Sequence, residues 1–405
     1  MRYTNFFEIL NLNKNNSICC RLFVFIQWSF FKLLGLSPWT SDTSGIFRNK
    51  NRNNTCRISY AGICYNIIFF LFNITFAPYG LFYELSNKTY QGSNSTIMLV
   101  KMLFIALLCT SLIPFIYIIR QKTMIKVINK LKNVDEILNK CSDYKLKNDC
   151  VNTILFAVNL FMTINFIIVY DLVYYPAITI FFGNIPSVLS SGVMIQYAMQ
   201  LNRIDKRFES INMAICKLGY SKLGGQVQVS SVAQLLSRES ILYDIENFKY
   251  AYVKLCRICD DMADFYGVPI LIAIVCCGFR SVMTLNRIIF KFTQLEAIDI
   301  VLPVPVSRMV CLIFLFTVIT SSVSAITKQN RKLAKILIRL TDEYTMDENI
   351  EKKLDYFSSD LWPLKLELTA CDIIPLDRSL LATITGTIAI YLVIGVQFSI
   401  DTHSH

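Results

Sequence analysis

The chain has 405 residues, of which 54% are hydrophobic and only 17% charged, against roughly 25% charged in soluble domains. That balance excludes an ordinary soluble domain, and the net charge of +11 is accounted for by basic loops facing anionic membrane lipid, with no nucleic acid partner required. The two histidines, His403 and His405, both lie in the terminal tail, so no histidine metal cluster, Ser-His-Asp triad or buried acid-base pair can be assembled. With no glycine-rich phosphate loop either, no enzyme, cofactor or metal site is expected.

Residues 1–61 read as a cytosolic N-terminal segment. The opening "NFFEILNLNKNNSICC" lacks the basic, apolar and small-residue regions of a signal peptide, so the first span is expected to serve as its own insertion signal. "RLFVFIQWSFFKLLGLSPWT" is apolar on most of its surface, with Arg21 and Lys32 near its ends and Pro38 closing it. This predicts an interfacial helix on the inner leaflet, a re-entrant or eighth span being the competing arrangement. The polar, Asn-rich "SDTSGIFRNKNRNNTCR" is a loop.

Seven apolar runs follow, each near the 20 residues a membrane helix needs: 62–83, 96–119, 151–175, 177–201, 264–290, 298–327 and 380–400. Their length and all-round apolarity imply helices, since a barrel strand needs only about ten alternating residues. The predicted fold class is therefore an all-α membrane protein with seven transmembrane helices. Residues 62–327 hold helices 1–6, 328–379 a cytosolic helical segment, and 380–405 the seventh helix with a short tail.

Most of the 40 lysines and arginines fall before span 1 and between spans 2 and 3, 4 and 5, and 6 and 7. The positive-inside rule then places the N-terminus in the cytosol and the C-terminus outside. The sequons at Asn87 and Asn94 fall in a loop assigned outside and are expected to be glycosylated. Three connecting segments are themselves patterned: "QKTMIKVINKLKNVDEILNK" repeats apolar residues at three- and four-residue steps, which predicts an amphipathic helix continuing span 2. "SSVAQLLSRESILYDIENFKYAYVKLCRICDDMADFYG" does so into span 5, and "ITKQNRKLAKILIRLTDEY" continues span 6. Their apolar stripes need partners in an intracellular helical bundle, within the chain or between subunits. The 14 cysteines are expected to be mostly reduced, and Cys256 and Cys259 of "CRIC" to pack rather than bind zinc.

Polar residues inside the spans are costly unless they face protein or water. At 100° per residue, Asn152, Asn159, Thr163, Tyr170 and Tyr174 fall on one seam of span 3, and Asn184, Ser187 and Ser191 share a face of span 4. Asp171 sits beside the seam's outer end. Interhelical hydrogen bonding explains each residue singly; a pocket lined by Thr163, Tyr170, Asp171, Tyr174, Asn184 and Ser187 explains them together. In span 7, Thr383, Thr387, Ile390, Ile394, Gln397, Phe398 and Asp401 lie within about 60° of one line. A helix lining a water-filled path would present such a stripe, with the bare Ile390 and Ile394 as an apolar gate and Asp401 at the outer mouth favouring cations. One helix cannot enclose a pore, so several copies around an axis are required.

"TACDIIPLDRSLLATITGTIAIYLVIGVQF" resembles the C-terminal signature of insect gustatory receptors, a Thr-Tyr, five apolar residues and Gln-Phe; here it reads Ile390-Tyr391, "LVIGV", Gln397-Phe398. The early "LLGLSPW" and "DMADFYGVPIL" before span 5 are also similar to that family. Isoleucine replaces the hallmark threonine, and "ACDII" stands where an Ala-Cys-Gly-Phe-Phe-like stretch is usual. The resemblance implies a ligand-gated, non-selective cation channel in the plasma membrane of chemosensory neurons. It would be a homotetramer, or a heterotetramer with other gustatory receptor subunits, opened by a small-molecule tastant, a bitter compound before a sugar. On matching positions, Ile394, Gln397 and Phe398 would form the gate, and Tyr391 would pack span 7 against its own subunit. A G-protein-coupled receptor would need the N-terminus outside, against the charge asymmetry, and a transporter would need discontinuous helices and an internal repeat.

Overall fold

The computed structural model describes residues 18–41, 56–86, 94–141, 144–146, 150–165, 177–218, 231–293, 303–343, 348–361, 364 and 366–403. In chain order these form α1 (Ile18–Leu33), β1 (Trp39–Ser41), β2 (Cys56–Ile58), α2 (Tyr60–Ser86), α3 (Asn94–Ile119), α4 (Gln121–Leu138), α5 (Val151–Ile164), α6 (Ala177–Leu218), α7 (Ser231–Thr293), α8 (Pro303–Glu343), α9 (Glu348–Leu361), β3 (Thr369–Ala370), β4 (Ile374–Pro375) and α10 (Arg378–His403).

Each of the seven apolar runs is helical wherever it is described, in α2, α3, α5, α6, α7, α8 and α10. Helical geometry satisfies every backbone N–H and C=O within the segment, which an apolar surround demands. Three of these helices run well past their apolar stretches. α7 has 63 residues, about 95 Å at 1.5 Å per residue, three times the thickness of a hydrocarbon core. Arg238–Val282 and Val306–Asp342 are long and apolar enough to cross a bilayer by themselves. The pair Phe104–Ile119 and Gln121–Leu138 would make a third, while Tyr60–Thr75, Val151–Ile164 and Arg378–Ile394 are apolar but shorter.

One expectation is corrected at the end of α3. The amphipathic segment does not continue α3 in line; the two helices meet at Arg120 at 59°, with Arg120 itself at φ −92°, ψ 8°, outside the helical region. The Arg120 guanidinium reaches across and donates to the Asp264 carbonyl of α7. The bend lays the buried stripe of α4 (Met124, Val127, Leu131, Val134 and Leu138) against α7.

The stripes of the prolonged helices thus find their partners inside the chain. One contiguous core runs through α4 and the far halves of α6, α7 and α8 to α9, where Ile350, Leu354, Phe357 and Leu361 are buried. Within it Arg207 of α6 is only 1% exposed and donates from Nε and Nη2 to the two oxygens of Asp135 on α4, each at 2.7 Å. Such a two-pronged pairing is the geometry that makes a buried ion pair tolerable. Lys130 with Asp261, Lys249 with Asp360, and Lys353 with Glu246 tie the periphery.

A second correction concerns "LLGLSPW". α1 packs Phe23, Phe30 and Phe31 on Phe156 of α5, while its far side leaves Phe25, Ile26 and Leu33 exposed, as a helix at an interface would. The residues after it are not at any surface. Gly35, at φ 73°, turns the chain inward, and residues 35–39 are buried. Three side-chain amides hold this strap by its carbonyls: Asn66 donates to Gly35 at 2.7 Å, Gln196 to Leu36 at 2.9 Å and Gln121 to Pro38 at 2.8 Å. Satisfied carbonyls are what allow non-helical backbone to lie inside a helical bundle. The strap ends in the antiparallel pair β1–β2, Trp39 opposite Ile58.

Candidate functional site

α10 starts from a rigid base. The Thr369–Pro375 hairpin turns through Cys371 and Asp372, both left-handed at φ 55° and 57°. The Ile373 N–H donates to the Ala370 carbonyl at 3.1 Å, and Asp372 N–H donates to the Thr369 hydroxyl at 3.2 Å. This is the turn geometry that favours glycine or a short polar residue at both central positions, so an Asp can stand in "ACDII" where a glycine is usual. Cys371 rests directly on Gly267 of α7, where an added Cβ would come within 3.2 Å of its backbone nitrogen.

Asp377 then caps α10, accepting from the Ser379 N–H at 2.9 Å. The Ser379 hydroxyl and N–H hold its carboxyl below the usual carboxylate range. A carboxyl depressed by folding contributes stability that is complete above its unfolded value, about 3.9, and is lost as pH falls through the lower folded value. Asp377→Ala is expected to loosen the first turns of α10 by about 1 kcal/mol, read as faster amide exchange over residues 378–384. Acidification of the parent protein should approach that state, whereas the Asp377→Asn variant should show no such pH dependence.

The base of α10 packs along α7 and α8, with Leu380, Leu381 and Ile384 turned to the core. Above it the helix leaves its own chain: residues 389–394 are exposed on every side, with Ile390 61%, Tyr391 48% and Ile394 41% open. Half of Tyr391 is therefore uncovered by its own helices. Thr383, Thr387, Ile390, Ile394 and Gln397 are all exposed, on a line about 110° around the helix from the packed side. The threonine hydroxyls donate back along the helix, Thr383 to the Ser379 carbonyl at 3.0 Å and Thr387 to the Thr383 carbonyl at 2.8 Å. Each spends its proton on the backbone and offers outward only a methyl and an acceptor oxygen. Phe398 and Asp401 continue the same helix.

The seam predicted on span 3 is only partly described. Tyr170, Asp171 and Tyr174 lie outside the described residues, as does Asn87; Asn94 is the first residue of α3. Thr163 is half-buried on α5, and on the adjoining α6 Asn184 is buried and Ser187 half-buried. One turn below Thr163, Asn159 is 1% exposed, and neither atom of its amide meets a partner among the described residues. Burying an unpaired amide costs about 1–3 kcal/mol, so its place is one for a polar ligand atom or a water. The C-terminal end of α3 and the middles of α6 and α7 converge on three buried tyrosines, Tyr117, Tyr197 and Tyr266, with the Tyr117 hydroxyl donating to Gln196 at 2.8 Å. Sequence reasoning passed over this cluster because each tyrosine reads as ordinary core. Cys256 and Cys259 are buried in the core, which pushes the Cys256 thiol up to about 12 and Cys259 well above its ordinary value. Both stay protonated and pack.

Apolar helices prolonged into a shared packed base, one of them leaving its own chain uncovered, are the build of a helical membrane protein. The family model described as 7tm Chemosensory receptor matches residues 24–402, and the chain belongs to that family, one of receptors rather than enzymes. The fold is shared with a solved structure, the insect olfactory receptor OR5 from Machilis hrabei in complex with eugenol. The two align with a TM-score of 0.61 over 94% of this chain and 99% of that one, at 11% identity. In sequence, 88 residues are 34% identical to "Putative gustatory receptor 28b" of Drosophila melanogaster, a match spanning 22% of this chain and 18% of that one.

Proposed function

We propose that this receptor is a gustatory receptor of the ligand-gated, non-selective cation channel type. Four copies stand around an axis lined by α10, as a homotetramer or with other gustatory receptor subunits, in the plasma membrane of chemosensory neurons. The observation that carries this reading is that residues 389–394 and Gln397, the described part of the outer stretch of α10, are exposed within one chain, and all but Gln397 are apolar. A lipid-facing anchor would not need the line Thr383, Thr387, Ile390, Ile394, Gln397 and Asp401; a pore helix whose other sides meet its copies would. The gate is formed by Ile390, Ile394, Gln397 and Phe398, with Thr383 and Thr387 below it, Asp401 above it, and Tyr391 at the edge of the stripe toward the subunit's own helices.

Seven spans with the N-terminus in the cytosol put the shared helical base inside the cell, which agrees with its lysine and arginine content. Asn87 and Asn94 are then outside and open to glycosylation. The ligand is a small organic tastant, a bitter compound before a sugar, held between α5 and α6 by Thr163, Tyr170, Asp171, Tyr174, Asn184 and Ser187. The structural neighbour was solved with eugenol, which favours a small organic ligand here. A preference of about 3 kcal/mol for the open arrangement would shift the equilibrium more than a hundredfold.

The test is current recorded from cells expressing only this chain, or this chain with a partner subunit. Ligand-evoked cation current is expected, with ion selectivity altered in Gln397→Ala and basal current raised in Ile394→Ala. Unaltered current in both variants would remove α10 from the pore. Tags at both termini, probed on intact cells, should be accessible only at the C-terminus.

A further inference from the structure

α8 does not stop where its apolar stretch ends at Thr327 but continues to Glu343, and along this part its two sides differ in chemistry. The inward side is fully engaged. Asn212 donates to both the backbone and the side-chain oxygen of Gln329 at 3.1 Å each. The Tyr252 hydroxyl donates to Asn330 at 3.1 Å, and Asn330 in turn donates to the Leu364 carbonyl at 3.2 Å. Leu333, Leu337 and Leu340 are buried beneath them.

The outward side carries Lys328, Arg331, Lys332, Lys335 and Arg339, all exposed. At 100° per residue they occupy an arc of about 100°, and Lys328 to Lys335 covers about 10 Å of axis. Among the described residues, Lys328, Arg331, Lys332 and Lys335 have no carboxylate within ion-pair distance. Elsewhere on the same base some lysines are ion-paired, as with Lys130, Lys249 and Lys353. Like charges three and four residues apart on a helix repel one another, and this strip contains four such pairs among its first four cations. An anion bound across them would relieve that repulsion.

The strip begins at the residue following the apolar stretch. Clusters of four or more basic residues directly beyond a membrane helix are built to meet anionic headgroups, each contributing about 1 kcal/mol near the surface. We propose that Lys328, Arg331, Lys332 and Lys335 hold the headgroup of a polyphosphorylated inositol lipid of the inner leaflet, one headgroup per subunit. Several phosphates on one ring match several cations on one helical face, which a single phosphodiester does not. The proposal rests on the orientation given above, with Thr327 at the inner surface.

The test uses the purified full-length receptor in detergent micelles, where binding does not depend on orientation, with a fluorescent phosphatidylinositol bisphosphate and fluorescent phosphatidylcholine as probes. Retention of the bisphosphate lipid and not of phosphatidylcholine is expected. The combined variant Lys328→Gln, Arg331→Gln, Lys332→Gln and Lys335→Gln should bind about 600-fold more weakly, from about fivefold per cation. A variant carrying arginine at the three lysines should bind as the parent does. All four side chains are exposed, so the elution profile of the variants should match the parent's. Equal retention of the lipid by the glutamine variant, or no preference over phosphatidylcholine, would overturn the proposal. So would equal competition by water-soluble inositol trisphosphate, which would assign the strip to a soluble anion. A cytosolic tag found outside on intact cells would remove the orientation while leaving the micelle result to stand or fall separately.

Discussion

Arg207→Ala is expected to lower the stability of the receptor by about 3–5 kcal/mol, the loss that follows when one partner of a buried ion pair is removed. The residue is fully enclosed and pairs through two 2.7 Å bonds with Asp135, so its removal strands a carboxylate in a space with little water. Burial works against the charge on Arg207, and Asp135 more than offsets it, leaving the guanidinium pKa raised. A cation whose pKa is raised by folding gives stability that is complete below its unfolded value, so the Arg207 guanidinium stays charged at every pH at which the protein is handled. The measurement is the temperature at which detergent-solubilised receptor loses its monodisperse elution peak. Asp135→Ala should fall about as far. The double replacement Arg207→Met with Asp135→Leu should recover most of the loss, because an apolar pair of similar volume leaves no charge behind. If the double variant were as unstable as the single ones, the pair would be acting through packing rather than charge.

Gly62→Ala is expected to prevent assembly of the strap. A Cβ at Gly62 would lie 2.4 Å from the Pro38 carbonyl oxygen and 3.0 Å from its Cα. That oxygen already accepts from Gln121 and lies directly before the strand β1 held by pairing with β2, so little that is flexible can give way. Overpacking of this kind costs about 1–3 kcal/mol where side chains can adjust, and more where backbone must move. Gly35→Ala should behave similarly, since Gly35 combines φ 73° with an Asn66 oxygen 2.6 Å from the added Cβ. Gly278→Ala in α7 is the control: its Cβ would meet nothing within 4 Å, and the better helix propensity of alanine should leave stability unchanged or raise it by up to about 1 kcal/mol. Surface expression and monodispersity of the three variants read the difference. Normal yields of Gly62→Ala would mean that the strap is not packed against α2 as described.

"LLGLSPW" was visible as a motif, and Pro38 as the close of the helical segment before it, but its burial was not visible. The three amides that hold it come from Asn66, Gln121 and Gln196, and the last is 160 positions away from its acceptor. A glutamine inside an apolar run reads locally as a polar group in a membrane helix, and nothing local tells it from one that lines a pocket. The same limit applies to Arg207 and Asp135, 72 positions apart, each of which reads singly as one more charge on an amphipathic helix. The bend at Arg120 escaped because neither proline nor glycine stands there; the break follows from where α4 must lie to bury its stripe on α7.

What the sequence determined by itself was set by local periodicity and by the membrane as solvent. Long apolar runs must become helices because the backbone can pair only within itself. The amphipathic stripe of α4, the lysine and arginine asymmetry, and the line of Thr383, Thr387, Ile390, Ile394 and Gln397 on α10 follow from counting at 3.6 residues per turn. The tertiary structure alone decided which stripes meet, that the prolonged helices cover one another within a single chain, and that the strap lies inside the bundle. It also decided that residues 389–394 of α10 are left bare. Those outcomes depend on contacts between distant segments, whose energies come from complementary shape, charge and hydrogen-bonding groups brought together only when the chain is folded.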